Sequence, residues 1–491
     1  MKTDVEKFDM IIIGAGSGCL SSALFACQKG KKVLLLEKSN RVGGYNAVHR
    51  VGRFSFEPNS RGIPSDFLGE KMSDYLLDAK LDITFTVSKN AYRIISTDGN
   101  GRDHVLPVGI DNYKKSLFGL CPECEDSFSK FLELGQIVEQ GAKALSQGKS
   151  VYEVKKEFPD YVRASTYTLE EVEEVYDMPK KAREIINAYW HDFGKTPDKL
   201  DFCTYVLYFL SNIKGTFRPD LGRADIDVGL LQSIFENGGR VLLNTKVTKI
   251  LVQDGKAYGV TTDDGYTYHA DMIISDLSYA VLYNKFMDAN EISEKTLSAV
   301  NSAKNAPDVY TICLGLNAGF EELGLLPVKT FIYPYCENDL LANALNGDGV
   351  MPLSVDLTVE NGLYYAKITA VFNSNALKYF NSVDYKKQES ALTQKILERV
   401  EFALKVDLRS HIEEYAVFSP VTYAKRVSTL GGSPLGLEAT PFNSLINRLA
   451  RENKEDRIPN VFSVGENGLL NFLGADYLTS KMIIKNVLSE Q

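Results

Sequence analysis

A strand-like apolar run, Met10-Ile11-Ile12-Ile13, leads straight into Gly14-Ala15-Gly16-Ser17-Gly18. This run constrains the fold more than any other stretch of the chain. Glycines at that point let the backbone turn tightly and bring bare peptide N–H groups up to an anion at the start of the following helix. The helix is expected from Gly18 to about Gln28, and Lys31 to Leu36 reads as a second buried strand ending on Glu37. Glu37 stands 23 residues after Gly14, close to the ~20 at which an acid reaches the ribose hydroxyls of a bound dinucleotide. Arg41-Val42-Gly43-Gly44 closes the unit. The three spaced elements agree on one ligand, FAD with an unphosphorylated adenosine ribose, and on a parallel α/β sheet. The third glycine of the fingerprint is replaced by Cys19, whose thiol is expected to pack as a small hydrophobe.

At 491 residues the chain exceeds one compact core, and two or three lobes are expected. A net charge of −9 argues against nucleic acid as the main partner, because phosphate binding needs a basic face. Met1 to Asp9 is charged rather than apolar, and no apolar run reaches the ~18 residues of a membrane span, so the expected location is cytoplasmic. Peripheral membrane contact stays open through one amphipathic helix, Gly119 to Gln140. Seven cysteines read as reduced thiols, with Cys121-Pro122-Glu123-Cys124 at the start of a helix as a pair of packed or incidental thiols. The five histidines His49, His104, His191, His269 and His411 show no ligand spacing, and no metal is expected.

From about Asp111 to Gly215 the pattern is helical, with Glu170, Glu171, Glu173 and Glu174 expected on solvated faces. Arg240–Leu243, Val247–Val252 and Ala257–Thr262 read as a β-meander, followed by His269–Ser275 as a short buried strand. Residues 296 to 414 mix strands, notably Val309–Leu316 and Tyr364–Phe372, with a helix from about Lys387 to Val406. Pro459 to Glu466 reads as a final strand closing on an acid. No second complete GxGxxG occurs, which disfavours a reductase with its own nicotinamide domain. A content of 26 Tyr and 25 Phe would suit an apolar tunnel, but aromatics also fill cores.

These motifs, with Phe56-Glu57-Pro58-Asn59, Phe193-Gly194-Lys195-Thr196-Pro197, Ser419-Pro420-Val421-Thr422, Gly431-Gly432-Ser433 and Val464-Gly465-Glu466, resemble the FAD-dependent oxidoreductases that include phytoene desaturases, carotenoid cis-trans isomerases and retinol saturases. The resemblance spans most of the chain. It implies a glutathione-reductase-type nucleotide domain (1–75, 225–295 and 415–491) with an inserted α+β substrate domain (76–224 and 296–414). It also implies action on carbon–carbon double bonds of a hydrophobic isoprenoid or lipid-like substrate. An amine oxidase relative, or a non-catalytic flavoprotein of the same fold, is the alternative.

Carried over position by position, Gly14, Gly16, Ser17 and Gly18 would cradle the pyrophosphate and Glu37, with Lys38 beside it, the adenosine ribose. Arg41, Gly43 and Gly44 would meet the phosphate and ribityl region, and Val247 the adenine. Gly465 and Glu466 would lie at the pyrophosphate and ribityl side, with Leu473, Gly474 and Ala475 at the pyrimidine end of the flavin. Arg61 follows the segment expected under the flavin and is the candidate catalytic cation; Tyr423, Lys425 and Asp476 are weaker ones. The chain departs from the family's glycine-rich pattern at Asp220-Leu221-Gly222-Arg223 and Leu469-Leu470-Asn471-Phe472, where substrate and flavin should meet.

Overall fold

The computed structural model describes residues 6–59, 62–97, 102–334, 337–345, 351–372, 384–427, 433–452, 458–464, 480–481 and 484–485. The first strand, Lys7–Ile13, is buried almost throughout and sits inside a seven-stranded sheet. Val33–Leu36 pairs parallel to it on one side and Thr267–Ser275 parallel on the other. Such strands are covered on both faces, which is why they read as unbroken apolar runs rather than alternating ones. Arg240–Leu242 extends the sheet beyond Val33–Leu36, again parallel. It is therefore a strand of the nucleotide sheet and not the first arm of the meander, as its sequence position suggested. The meander proper is Val247–Gln253, Lys256–Thr262 and Thr267–Ser275. Where it peels away, Val461–Ser463 takes the vacated side of Thr267–Ser275, with Ile273 opposite Val461.

The first helix, Ser17–Gln28, is buried from Ser17 to Cys27, sandwiched between this sheet and the helix Ala224–Glu236. Its small residues allow that close fit. Cys19 is fully buried and its Sγ lies 3.6 Å from the Ile13 carbonyl oxygen, so the thiol packs where a third glycine would have stood.

A second seven-stranded sheet runs in the order Asp103–Pro107, Asn90–Ser96, Thr330–Tyr333, Leu353–Glu360, Leu363–Phe372, Asp308–Leu316, Ile412–Phe418. It is antiparallel except where Asn90–Ser96 meets Thr330–Tyr333. One face, with Ile312, Leu314, Val355 and Ile368, packs on Ile396, Leu397 and Val400 of the helix Tyr385–Leu404. The opposite face receives the hairpin His49–Val51/Phe54–Phe56. The Phe54 ring fits only because Gly315 lacks a side chain: a Cβ there would stand 2.5 Å from the ring.

Residues 110–214 form a helical layer. The amphipathic segment expected at Gly119–Gln140 is the helix Glu125–Ser146, with Ile110–Leu120 a separate helix before the Cys121–Cys124 turn. Its apolar face is covered by protein. Gly135 and Gly141 let the helix approach Val206 and Tyr161 so closely that a Cβ would stand 2.7 Å and 2.3 Å from them. No helix among the described residues is long and apolar enough to cross a membrane. Tyr113, Phe128, Phe131, Tyr205 and Phe209 of this layer are fully buried among one another, with Tyr92 of the second sheet packed against them. The acidic run 170–174 corrects a second expectation. In the helix Leu169–Val175, Glu173 is buried with Leu169 and Val172 and is 1% exposed, because it lies four residues, about one turn, on from Leu169.

Candidate functional site

The site grows from the turn after the first strand. Gly14 has φ of +110°, a left-handed conformation that glycine adopts without strain. Its N–H donates to the Leu36 carbonyl at 2.8 Å. Gly16 is the N-cap of the first helix, so the unpaired N–H groups of that helix open at this point and favour an anion. The Glu37 carboxylate ties the parts together, accepting the Ala15 N–H at 2.9 Å with one oxygen and the Ser39 N–H at 2.8 Å with the other.

The second glycine pair closes over the first. Gly43 has φ of +108° and Gly44 of +54°, and Gly43 N–H donates to the Ala15 carbonyl at 2.8 Å. A Cβ on Gly44 would stand 3.1 Å from the Gly16 Cα, so the two loops touch backbone to backbone. Ser17 Oγ donates to Asp227 Oδ1 at 3.0 Å, anchoring the helix start to Ala224–Glu236. Gly18 is buried in the first helical turn, its carbonyl accepting from Ser22 and Ser480 hydroxyls at 2.8 Å each.

Above the turn lies a cavity of about 570 Å³ lined by Gly14, Glu37, Lys38, Arg41, Gly44 and Val247 together with Thr245, Lys246, Asp276, Lys425 and Arg426. Seven of the residues singled out in the sequence, Lys425 among them, therefore meet at one cavity, and Gly16, Ser17, Gly18 and Gly43 form the adjoining turns and helix start. Burial pushes the Lys38 ammonium below its usual range, against the pull of Glu37 and Asp276. Five cations around two carboxylates give the cavity a net positive lining. Of the weaker candidates, Lys425 lines this cavity, while Tyr423 is buried with its hydroxyl 3.0 Å from Thr311 Oγ1. Arg61, Gly465, Glu466, Leu473, Gly474, Ala475 and Asp476 lie outside the described residues, as does the departure at 469–472.

The other departure has a structural account. Gly222 has φ of +104°, and the next two residues, Arg223 and Ala224, donate their N–H groups to Glu57 at 3.1 and 2.8 Å. Glu57, from the Phe56–Asn59 segment, thus caps the helix Ala224–Glu236. At the CxxC segment, burial raises the Cys121 thiol and pushes Cys124 up to about 12, which suits packed thiols rather than thiolate chemistry.

Asp276 and Asp227 were missed in the sequence. Asp276 follows immediately on the buried strand ending at Ser275, at the carboxyl end of a parallel strand where ligands of such sheets bind. That position was the available signal. Asp227 carries none, being one acid on an ordinary amphipathic helix.

The donor set fits a dinucleotide: a glycine cradle that any Cβ would fill, a helix N-terminus, an acid at ribose spacing and a cationic cavity. Comparison with known proteins agrees. Over 361 residues, 68% of this chain and 58% of the relative, the sequence is 25% identical to all-trans-retinol 13,14-reductase of Danio rerio. It is 22% identical to chloroplastic prolycopene isomerase of Daucus carota over 89% of this chain and 75% of that one. The chain thus spans under two thirds of the length of the zebrafish reductase. An oxidoreductase from Methanosarcina mazei shares the fold with a TM-score of 0.64 at 14% identity, covering 98% of this chain and 100% of that one. The model of the flavin containing amine oxidoreductases matches residues 20–320, and the chain belongs to that family.

Proposed function

We propose that this enzyme desaturates, saturates or isomerises carbon–carbon double bonds of a hydrophobic isoprenoid or lipid-like substrate. The observation that carries the reading is the likeness over 68% and 89% of the chain to a retinol 13,14-reductase and a prolycopene isomerase, two proteins named for chemistry at polyene double bonds. A flavin, when bound, supplies reversible two-electron chemistry. What remains for the chain is to grip the cofactor, present the double bond and keep water out. In this reading Gly14, Gly16, Ser17 and Gly18 hold the pyrophosphate, Glu37 and Lys38 the ribose end, Arg41, Gly43 and Gly44 the phosphate and ribityl region, and Val247 the adenine. Residues 1–75, 225–295 and 415–491 form the nucleotide part, and the rest the substrate part. The enzyme works in the cytoplasm, with peripheral membrane contact as the route to an oily substrate.

The family's name and fold keep amine oxidation as the second reading. Anaerobic mixing of the flavin-loaded protein, oxidised and prereduced, with a polyene alcohol, an unsaturated fatty acid and a panel of amines separates them. The proposal expects a shifted polyene absorbance, from lost, gained or rearranged conjugation, with either form of the flavin. Bleaching by amines alone, with hydrogen peroxide released on admitting air, would replace it by the amine oxidase reading.

A further inference from the structure

Two features of the cofactor cavity stand in tension. The glycine turn is shaped for a dianionic pyrophosphate, yet the carboxyl of Asp276 is seated directly against it. Asp276 Oδ2 accepts the Gly16 N–H at 3.2 Å. A Cβ on Gly14 would stand 2.5 Å from Oδ1, and one on Gly16 would stand 2.5 Å from Oδ2. Asp276, half-buried, also lines the cavity beside Gly14, Glu37 and Gly44. An ionised carboxylate there would set a third negative charge beside the two of the pyrophosphate, in a site where desolvation strengthens repulsion.

We propose that Asp276 is a ligand of the bound FAD pyrophosphate in its protonated form, accepting the Gly16 N–H with one oxygen and donating its proton to a phosphate oxygen, so that cofactor binding takes up a proton.

The surroundings supply that proton near neutrality. Burial pushes the Asp276 carboxyl up to about 7, and Glu37, at the end of the second strand, pushes in the same direction. Lys38 opposes them weakly from the same loop, and the Gly16 N–H at the helix start favours the anion. From the first helix the facing group is the Cys19 thiol, itself raised by burial and by Asp276. Across Gly43 stands Asp227 of Ala224–Glu236, whose Oδ2 would be 3.2 Å from a Cβ on Gly43; it adds a further acid rather than a counter-ion. Arg41, Lys246, Lys425 and Arg426 sit around the remaining cavity wall, and Lys285 acts on Lys38. The sign follows: a carboxyl whose pKa rises further on binding keeps full affinity below its free value, and affinity falls as pH climbs through it.

The test is equilibrium dialysis of the flavin-loaded full-length chain from about pH 6 to pH 9, reading retained FAD by absorbance and the fold by circular dichroism. Above about pH 7 the wild-type Kd is expected to rise about tenfold per pH unit. Asp276→Asn, whose amide donates at every pH, is expected to hold FAD with a nearly flat profile. A flat wild-type profile, or the same slope in Asp276→Asn, overturns the proposal. Should the variant fail to fold, titration calorimetry of the wild type in buffers of different ionisation enthalpy decides: net uptake of up to one proton near pH 8 supports it, and no uptake overturns it.

Discussion

At the residue scale, the cofactor site turns on side chains whose polar atoms serve the protein and the cavity at once. Glu37 spends both oxygens on Ala15 and Ser39 while lining the cavity, and a carboxylate has about four acceptor positions to share. Glu37→Gln should therefore weaken FAD binding by about 1.5–3 kcal/mol, the range for hydrogen bonds to charged groups, measurable as a Kd higher by about 10- to 150-fold by flavin fluorescence. An unchanged Kd would show that its acceptors serve only the loop. Gly44 is constrained twice, by φ of +54° and by the Gly16 Cα at 3.1 Å from its missing Cβ. Gly44→Ala should yield a folded chain that purifies without flavin; a yellow protein of wild-type occupancy would contradict this. Both positions were legible in sequence, because the glycine and acid spacing is local. Asp276 was not, since its meaning comes from a contact 260 residues away along the chain.

At the scale of elements, buried apolar strands and the first helix were readable within a few residues, whereas partners were not. Arg240–Leu242 looks like its meander neighbours, and only pairing with Val33–Leu36 separates it from them. Inward charge was equally hidden, as Glu173 shows. Burial pushes its carboxyl up to about 8, against the nearby Arg183. The native state thus prefers the protonated form, while the unfolded chain releases that proton near the ordinary glutamate value of 4.5. Stability contributed by this group is full below that value and is lost as pH rises toward 8, at up to ~1.4 kcal/mol per pH unit. Glu173→Gln should remove that slope, so that urea midpoints of wild type and variant converge near pH 5 and separate, variant higher, near pH 8. Parallel pH profiles would refute the assignment.

At the scale of the whole molecule, a small sheet of Ile63–Pro64, Thr216–Pro219 and Phe85–Val87, the second seven-stranded sheet and the helical layer meet at a buried ionic knot. Asp356, 4% exposed, pairs with Arg218 at 2.8 Å and Lys367 at 3.4 Å. Lys329 pairs with Asp192, which also accepts the Tyr208 hydroxyl at 2.7 Å. Burial pushes the Asp356 carboxyl up, but Lys367, Arg218 and Lys329 prevail and hold it well below the usual range. Removing one partner of a buried pair leaves the others uncompensated and typically costs ~3–5 kcal/mol. Asp356→Ala should lower the denaturant midpoint accordingly, whereas Arg53→Ala, at an exposed pair with Glu413, should cost under ~1 kcal/mol. Equal costs would dismiss the knot as a structural tie.

The nucleotide sheet is assembled from distant parts of the chain, and its strand Val461–Ser463 follows both the second sheet and the helical layer in sequence. On a ribosome the amino-terminal fingerprint would emerge long before the strand that closes the sheet, and the interval is occupied by synthesis of the second sheet and the helical layer. The glycine turn must wait as an unfinished surface, so flavin loading belongs after synthesis of that strand, and chains released before it should be handed to the cell's degradation machinery without cofactor.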